Sequence, residues 1–249
     1  MKRIIQKRSI LLFLFAFLMG LFLVPSFSSE LSPLSTAVPS MERRLESEVS
    51  GPLTGREKKI LAILSQFRTG LKADEKERLV TFISQESRRY GFEPELIMAL
   101  ISTESSFYNW SSSPNGAIGL MQIIPTTGRE LAEINNIVWK GEEEPLFDPF
   151  LNIKLGIHYL SMLHLKFKDL ELALTAYNYG PGNVRRWIEE GEALPAGYAT
   201  KVLKYYERFL AFDTEKQDPS SLLAAQDDDP SGLEDKVPSE TVSKVSLRF

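Results

Sequence analysis

The sequence of 249 residues contains no cysteine and only two histidines. The absence of cysteine excludes disulfides, thiolate metal sites and a cysteine nucleophile. His158 and His164 are six positions apart, which places them on different faces of a helix and argues against a shared metal ion. We therefore predict no metal site and no other cofactor.

The sequence also lacks a large net charge of either sign. Its formal net charge is −4, which argues against a general nucleic-acid-binding protein. The charges are unevenly distributed: Lys2, Arg3, Lys7 and Arg8 lie at the start, and residues 213–249 contain nine acids and four bases. Because this acidic tail is also poor in apolar residues, we predict that it is disordered.

The N-terminal region has the pattern of a secretory signal peptide. The basic stretch is followed by an apolar run at residues 10–24 and by small residues at Ser26 and Ser28. Residues 1–28 are predicted to be a signal peptide or an uncleaved membrane anchor, with the apolar run as the tether. The run of fifteen residues is shorter than the ~20 that a spanning helix needs. Either interpretation predicts an exported protein of the periplasm or cell envelope.

Residues 29–55 are rich in Ser, Pro and Glu and have no apolar periodicity, which predicts a linker. Helical periodicity then dominates residues 56–212. Ile60, Ile63 and Leu64, for example, lie on one face of a predicted helix and form an apolar stripe. No segment alternates convincingly as a strand would. We therefore predict an all-α domain over residues 56–212, which is large enough to bury a core.

Local signals predict where several helices begin. Pro94 suits the first turn of a helix because its missing N–H is not needed there. Asp148 followed by Pro149 predicts the start of a later helix. Between these two helices, Thr127 and Glu130 have the spacing of a capping box, which predicts another helix start at that point.

Glu104 is the first candidate for chemistry. It lies seven, four and three residues after Ile97, Leu100 and Ile101 in the predicted helix that starts at Pro94, so helical spacing places it on the apolar side. Desolvation would raise the pKa of a carboxyl group there. A carboxylic acid protonated near neutral pH is what cleavage of a glycosidic bond requires. The alternative is a carboxylate at the helix end that extends into water.

Residues 111–122 form a turn-rich segment after that helix. Gly116 and Gly119 permit backbone conformations that other residues resist. Ile118, Leu120 and Met121 are unusually apolar for a surface loop. Loops held on rigid helices often carry binding groups, so this segment is the second candidate for a functional site. An ordinary surface loop is the alternative.

Three segments in order carry a resemblance to a known family. They are Glu104-Ser105, Gly-Leu-Met-Gln at residues 119–122, and Ala-Tyr-Asn-Tyr-Gly-Pro-Gly-Asn-Val at residues 176–184. Leu-Phe-Asp-Pro at residues 146–149, with Asn152 after it, is also similar. Together they resemble the soluble-type (family 1) lytic transglycosylases, which have the lysozyme-like SLT domain of glycoside hydrolase family 23. The resemblance extends over about residues 84–210.

The resemblance implies a lysozyme-like helical fold and a peptidoglycan glycan strand as substrate. It implies cleavage of the β-1,4 bond between N-acetylmuramic acid and N-acetylglucosamine, with formation of a 1,6-anhydromuramic acid end. Glu104 would act first as general acid and then as general base. The positions implied to bind substrate are Ser113, Met121, Gln122, Tyr177, Asn178 and Tyr198.

The sequence departs from the family pattern at residues 194–197. The family has a Glu-Thr pair a few residues before the tyrosine that corresponds to Tyr198, and this chain has Leu-Pro-Ala-Gly there. Tyr179 also replaces a residue that is commonly small. These departures keep open a second hypothesis, a peptidoglycan-binding or assembly module without catalysis.

Ordinary glycosidases use two carboxyl groups, whereas Glu104 is the only one within the motifs. The resemblance therefore implies a mechanism in which the substrate's own acetamido group assists. A goose-type-like lysozyme hydrolase, which needs a positioned water, is the remaining alternative. We interpret the run at residues 142–144 as solvated charge. Trp110, Trp139 and Trp187 are expected in the core rather than on sugars, since large aromatic side chains dominate packing.

Overall fold

The computed structural model describes residues 52–213 of the chain. The predicted signal peptide or anchor, almost all of the predicted linker and almost all of the acidic tail lie outside the described residues. Within the described range, no helix has the length and apolar character needed to cross a membrane.

Eight α-helices and one short 3₁₀ helix make up the described part of the chain. In the same range, pairing between extended segments is limited to two isolated bridges in the loop after α3. The helices are α1 (Gly55–Leu64), α2 (Ala73–Arg89), α3 (Pro94–Ser105), α4 (Pro125–Ile134), the 3₁₀ helix (Glu144–Phe147), α5 (Pro149–Phe167), α6 (Leu170–Tyr179), α7 (Pro181–Glu190) and α8 (Gly197–Ala211). The prediction of an all-α domain is thereby confirmed.

Two of the three predicted helix starts are confirmed. α3 begins at Pro94, and α5 begins at Pro149 after Asp148, whose Oδ1 accepts a hydrogen bond of 2.8 Å from the backbone N–H of Leu151. The predicted capping box at Thr127 is wrong, because α4 begins two residues earlier at Pro125. Proline is well suited to the first position of a helix, and Thr127 is instead buried inside the first turn.

The helix α3 forms the centre of the core. It packs most extensively against α8 and also contacts α2. Its buried apolar residues, all at most 4% exposed, are Leu96, Ile97, Met98, Ala99, Leu100 and Ile101. Because α3 is enclosed along nearly its whole length, the residues at its C-terminal end are held at a defined position relative to α8.

Candidate active site

Glu104 occupies the last turn of α3 and is only partly exposed. Burial raises the pKa of its carboxyl group to about 7, against smaller lowering effects from a hydrogen bond with Tyr198 and from the positive charge of Lys201. The desolvation predicted from helical spacing is therefore confirmed. A carboxyl group whose pKa lies near neutrality is suited both to donating and to accepting a proton.

Tyr198, at the start of α8, donates a hydrogen bond from its hydroxyl group to Oε1 of Glu104. The pKa of this phenol is raised well above its ordinary value, first by burial and then by the neighbouring Glu104 charge. The phenol therefore remains protonated and can act only as donor towards a Glu104 carboxylate. It stabilises that ionised form and limits the rotation of the carboxyl group.

The chain turns sharply immediately after α3. Ser106 and Phe107 both have left-handed backbone conformations, with φ of 49° and 62°. Bulky side chains rarely adopt this conformation, so tertiary packing must hold it in place. Phe107 is 1% exposed, and its ring centroid lies 4.5 Å from that of Phe67. This packing directs the following loop back towards the end of α3, next to Glu104.

A buried polar network fixes that loop. Asn152 of α5 is 0% exposed, and its Oδ1 accepts a hydrogen bond of 2.7 Å from the backbone N–H of Met121. Its Nδ2 donates bonds of 2.9 Å to the carbonyl groups of Ile118 and Leu146. The hydroxyl group of Ser105 adds a bond of 2.8 Å to the carbonyl of Leu120, which links the loop directly to the residue after Glu104.

Two glycines permit these close approaches. Gly119 has φ of +81°, and a Cβ atom there would lie 2.4 Å from Nδ2 of Asn152. A Cβ at Gly156 of α5 would lie 2.4 Å from Sδ of Met121. Neither position tolerates a side chain, because the loop packs directly against α5 at both points.

Gln122 and Ser113 lie on the partly exposed side of the loop. Gln122 has φ of 48°, and its Nε2 donates hydrogen bonds of 2.9 Å to the Gly119 carbonyl and 3.3 Å to the Ser111 carbonyl. The Oγ of Ser113 accepts a bond of 3.0 Å from the backbone N–H of Ala117. Both side chains are held by their own loop, so the orientation of their polar groups is set before any ligand binds.

Tyr177 connects α6 to the same loop. Its hydroxyl group donates a hydrogen bond of 2.9 Å to the carbonyl of Met121, and burial together with the charge of Glu104 raises its pKa well above the ordinary value. The next residue, Asn178, is exposed. The structure thus brings Glu104, the Met121 carbonyl, Tyr177 and Tyr198 together, with Ser113 and Gln122 on the adjoining loop surface.

Met121 lies beneath the surface of the loop. Its side chain is 0% exposed and packs against Gly156 of α5, so the implied contact with substrate would have to come from its backbone. Its backbone N–H and carbonyl are both used, by Asn152 and Tyr177 respectively. Met121 therefore positions the loop between two helices.

Asn152 and Lys201 are functional candidates that sequence reasoning did not assign to the site. Asn152 follows the Leu-Phe-Asp-Pro segment of the family resemblance, and that position was the available signal. Lys201 follows Tyr198 by three residues, so that helical spacing places both on one side of α8. Within residues 52–213 no group of three or more His, Asp or Glu side chains is arranged to hold a metal ion.

Residues 81–197 match the family model described as the transglycosylase SLT domain. Over this range the chain is similar to an SLT domain. The matched range includes Glu104, the loop and Tyr177, and it ends one residue before Tyr198. The departure from the family pattern at residues 194–197 thus lies at the edge of the SLT domain, where Leu194 packs against the core and α8 begins.

Curated relatives of the SLT domain are lytic murein transglycosylases. The membrane-bound lytic murein transglycosylase C of Histophilus somni is 34% identical over 119 residues, which are 44% of this chain and 33% of the relative. The protein of the same name from Shigella sonnei is 36% identical over 113 residues, 42% of this chain and 32% of the relative. The matched region thus spans about a third of the length of these relatives.

Among solved structures, the lytic transglycosylase Slt of Pseudomonas aeruginosa, an inactive mutant, is similar to this chain. The sequence identity is 29%, the TM-score is 0.46, and the similarity covers 57% of this chain and 24% of that one.

Among the described residues, Lys201 is the only charged side chain that perturbs the pKa of Glu104. Residues 142–144 are exposed, which confirms their interpretation as solvated charge. The described structure therefore provides one candidate acid beside Tyr198 and Tyr177, without a paired carboxylate.

The three tryptophans differ from one another in exposure. Trp139 and Trp187 are partly buried and pack against the core, as expected. Trp110 is 54% exposed, so the expectation of a core position was wrong for this residue. It follows the turn after α3, where the chain runs along the surface.

Proposed function

We propose that this chain is a peptidoglycan lytic transglycosylase that uses Glu104 as its single catalytic carboxylic acid. It cleaves the β-1,4 bond between N-acetylmuramic acid and N-acetylglucosamine and leaves a 1,6-anhydromuramic acid end. The observation that carries this proposal is the carboxyl group of Glu104, whose pKa is about 7, at the centre of an SLT domain. The names of the curated relatives support the same reaction class.

In the first step the protonated Glu104 donates its proton to the glycosidic oxygen as the bond from that oxygen to the muramic acid C1 breaks. The acetamido oxygen of the same sugar stabilises the positive charge that develops at C1. This assistance replaces the second carboxylate of ordinary glycosidases, in agreement with the absence of a paired carboxylate around Glu104 in the described residues.

In the second step the Glu104 carboxylate removes the proton from the 6-hydroxyl group of the muramic acid as O6 bonds to C1. The anhydro ring closes, Glu104 is protonated again, and no water is consumed. Closure within one ring is favoured over attack by water because the nucleophile is already in place. The hydrogen bond from Tyr198 supports the carboxylate between the two steps.

We assign substrate contacts to Ser113, Gln122, Asn178 and Tyr198. Ser113 and Gln122 are on the partly exposed side of the loop, and Asn178 is exposed next to Tyr177. Tyr177 supports the loop from beneath through its hydrogen bond to the Met121 carbonyl. Polar groups of this kind, held in advance, orient a sugar relative to the acid.

We also propose that the protein is exported and acts in the periplasm or cell envelope. The signal pattern of residues 1–28 and the location of peptidoglycan support this. The curated relatives carry the name membrane-bound, and an anchor at residues 10–24 is the corresponding proposal for this chain.

The test is digestion of purified peptidoglycan with the chain, followed by mass spectrometry of the products. We expect anhydro ends from the unaltered chain and none from the variant Glu104→Gln. The matched control is Glu133→Gln, which changes an exposed carboxyl group on α4 and should leave the products unchanged.

The same experiment separates the two other hypotheses. Reducing ends in place of anhydro ends would identify a goose-type-like hydrolase. Tight binding of peptidoglycan without any product would identify a binding or assembly module. Full activity in Glu104→Gln would remove Glu104 from the mechanism.

A further inference from the structure

Two exposed aromatic side chains lie on the segment that joins α3 to the loop. Trp110 is 54% exposed and Tyr108 is 45% exposed. The partly exposed ring of Phe147 lies beside Trp110, with ring centroids 5.5 Å apart and an interplanar angle of 30°. We refer to Tyr108, Trp110 and Phe147 as the aromatic platform. An exposed apolar cluster of this kind marks an interaction site more often than an isolated exposed residue does.

The platform is supported from behind by Gly70, in the turn between α1 and α2. A Cβ atom at this position would lie 2.9 Å from Cδ1 of Trp110 and 3.6 Å from Cε2 of Tyr108. Gly70 also has φ of +74°, a conformation that favours glycine. Both rings therefore rest against backbone where there is no side chain.

Asn109, between the two aromatic residues, holds the platform in place. It is 1% exposed, its backbone N–H donates a hydrogen bond of 2.9 Å to the Thr69 carbonyl, and its Nδ2 donates one of 3.0 Å to the Phe147 carbonyl. The platform thus loses little conformational entropy when a ligand binds, and such preorganisation increases affinity.

The segment that carries Tyr108 and Trp110 is joined to the candidate active site by hydrogen bonds at both of its ends. The backbone N–H of Tyr108 donates a hydrogen bond of 2.9 Å to the carbonyl of Ser105, the residue after Glu104. The carbonyl of Ser111, the residue after Trp110, accepts the bond from Nε2 of Gln122. A glycan strand bound at Glu104 and Gln122 extends beyond the bond that is cut. The aromatic platform adjoins the loop that carries Gln122, so it lies next to the site where such a strand would bind.

We propose that Tyr108 and Trp110 form a stacking subsite for a pyranose ring of the glycan strand, away from the bond that is cut. This inference rests on the proposed function, because it takes the glycan strand as the ligand. The C–H groups on the face of a pyranose provide an apolar surface for an aromatic ring, and the Tyr hydroxyl adds a polar contact at its edge. The subsite requires no charge and accepts either sugar of the strand.

The test measures binding of N-acetylglucosamine oligomers by calorimetry to the full chain with Glu104→Gln, in the presence and absence of Trp110→Ala. A trisaccharide and a hexasaccharide are compared. We expect Trp110→Ala to weaken binding of the hexasaccharide by about three- to tenfold, the contribution of one aromatic contact, and to leave the trisaccharide unchanged. Trp110→Phe should retain most of the hexasaccharide affinity.

Equal weakening for both oligomers, no weakening for either, or no binding of the hexasaccharide by the parent chain would each overturn the proposal. Trp139→Phe, which changes a tryptophan packed against Gly128, is the matched control and should bind as the parent does. Thermal unfolding of each variant establishes that it is folded. If Trp110→Ala instead abolishes binding to anionic phospholipid vesicles while the hexasaccharide affinity is unchanged, the platform is a membrane contact and the proposal is wrong.

This result is distinguishable from failure of the proposed function. Binding is measured in a variant without the catalytic acid, so the length dependence does not require turnover. Absence of anhydro products from the unaltered chain would overturn the proposed reaction and leave the stacking result standing. Anhydro products together with equal hexasaccharide binding by the parent and Trp110→Ala would overturn the subsite alone.

Discussion

The two ends of α3 each carry an enclosed carboxyl group, and the two groups have different partners. Glu95, in the first turn, is 2% exposed and lies against cations of α1: its carboxylate is 3.1 Å from Nε of Arg56 and 3.7 Å from Nζ of Lys59. Glu104, in the last turn, accepts a hydrogen bond from the neutral hydroxyl group of Tyr198. Among the described residues, the positive charge that lowers the pKa of Glu104 is that of Lys201, an exposed residue.

The helix itself reinforces this difference. The N-terminal end of a helix stabilises negative charge, and the C-terminal end opposes it. Glu95 forms its ion pairs with Arg56 and Lys59 at the helix end that favours negative charge, as a structural group does. Glu104 lies at the unfavourable end, and burial raises its pKa to about 7. The comparison shows that two enclosed carboxyl groups of one helix differ in their partners and in the helix end that they occupy, and that burial is the main cause of the raised pKa of Glu104.

The largest expected effect comes from exchanging each carboxyl group in turn for an amide. Glu104→Gln should lower the rate of anhydro-product release by about 10²–10⁴-fold with the fold intact, because a general acid is lost. Glu95→Gln should leave that rate nearly unchanged and reduce the free energy of unfolding by about 2 kcal/mol, between the values for exposed and buried pairs, because Lys59 loses its carboxylate and Arg56 keeps only Glu93 as an ion-pair partner. Product assays and urea unfolding of both variants measure this contrast. Comparable loss of activity in the two variants would contradict the assignment of Glu104 as the acid and of Glu95 as a structural group.

The second prediction concerns stability as a function of pH. The folded state holds the Glu104 proton up to about pH 7, whereas the unfolded state releases it near 4.5. Raising the pH through this window therefore favours unfolding, and the accumulated cost above it is about 3 kcal/mol. Glu104→Gln removes this cost, so its stability relative to the unaltered chain should rise between about pH 5 and about pH 8.

Urea unfolding of the unaltered chain and of Glu104→Gln, at about pH 5 and at about pH 8, measures that difference in stability. The contributions of other titrating groups cancel because both proteins contain them. Glu133→Gln serves as the exposed comparison and should show no such rise. A constant difference between the unaltered chain and Glu104→Gln across the window would mean that Glu104 titrates as an ordinary surface acid.

The third prediction tests the neutral partner. Tyr198→Phe removes the hydrogen bond that stabilises the Glu104 carboxylate and limits its rotation. We expect roughly a tenfold lower kcat, since hydrogen bonds to charged groups contribute about 1.5–3 kcal/mol. The pKa of Glu104 should rise, so the fall of kcat/KM on the alkaline side should move to higher pH. A lower rate with an unchanged pH profile would indicate a structural function for Tyr198.

The smallest expected effect concerns Lys201. Its positive charge lowers the pKa of Glu104, so Lys201→Met should raise that pKa and move the alkaline fall of kcat/KM to higher pH. The shift should be below about one pH unit, because exposed charges are screened by solvent and salt. Added salt should screen the charge of Lys201 in the unaltered chain. The difference between the pH profiles of the two proteins should therefore decrease as salt is added. Movement of the profile to lower pH would contradict the sign of this interaction.

Much of the fold could be predicted because its signals are local. Helical spacing placed Glu104 on the same side as Ile97, Leu100 and Ile101, and a proline marked the first residue of α3. The start of α4 could not be located from Thr127, because two competing start signals lay two residues apart and Pro125 prevailed. Local patterns of this kind predict that a helix exists better than they predict its ends.

The site was less predictable where it depends on distant contacts. Met121 lies next to Gln122 in the motif, yet only packing against α5 shows that one side chain is enclosed and the other partly exposed. The exposure of Trp110 likewise depends on where the chain turns after Phe107. The signal peptide or anchor and the disorder of the acidic tail remain predictions from the sequence.

The sequence by itself determined that this chain forms helices, that Glu104 lies on the apolar side of one of them, and that the ordered motifs resemble those of an SLT domain. These properties follow from spacing within a few turns of chain. The tertiary structure decided that Tyr198, ninety-four residues after Glu104, donates to its carboxyl group, and that Asn152 holds the loop beside it. Such contacts depend on how α3, α5 and α8 pack, because a hydrogen bond forms only when its two groups are brought within about 3 Å of each other.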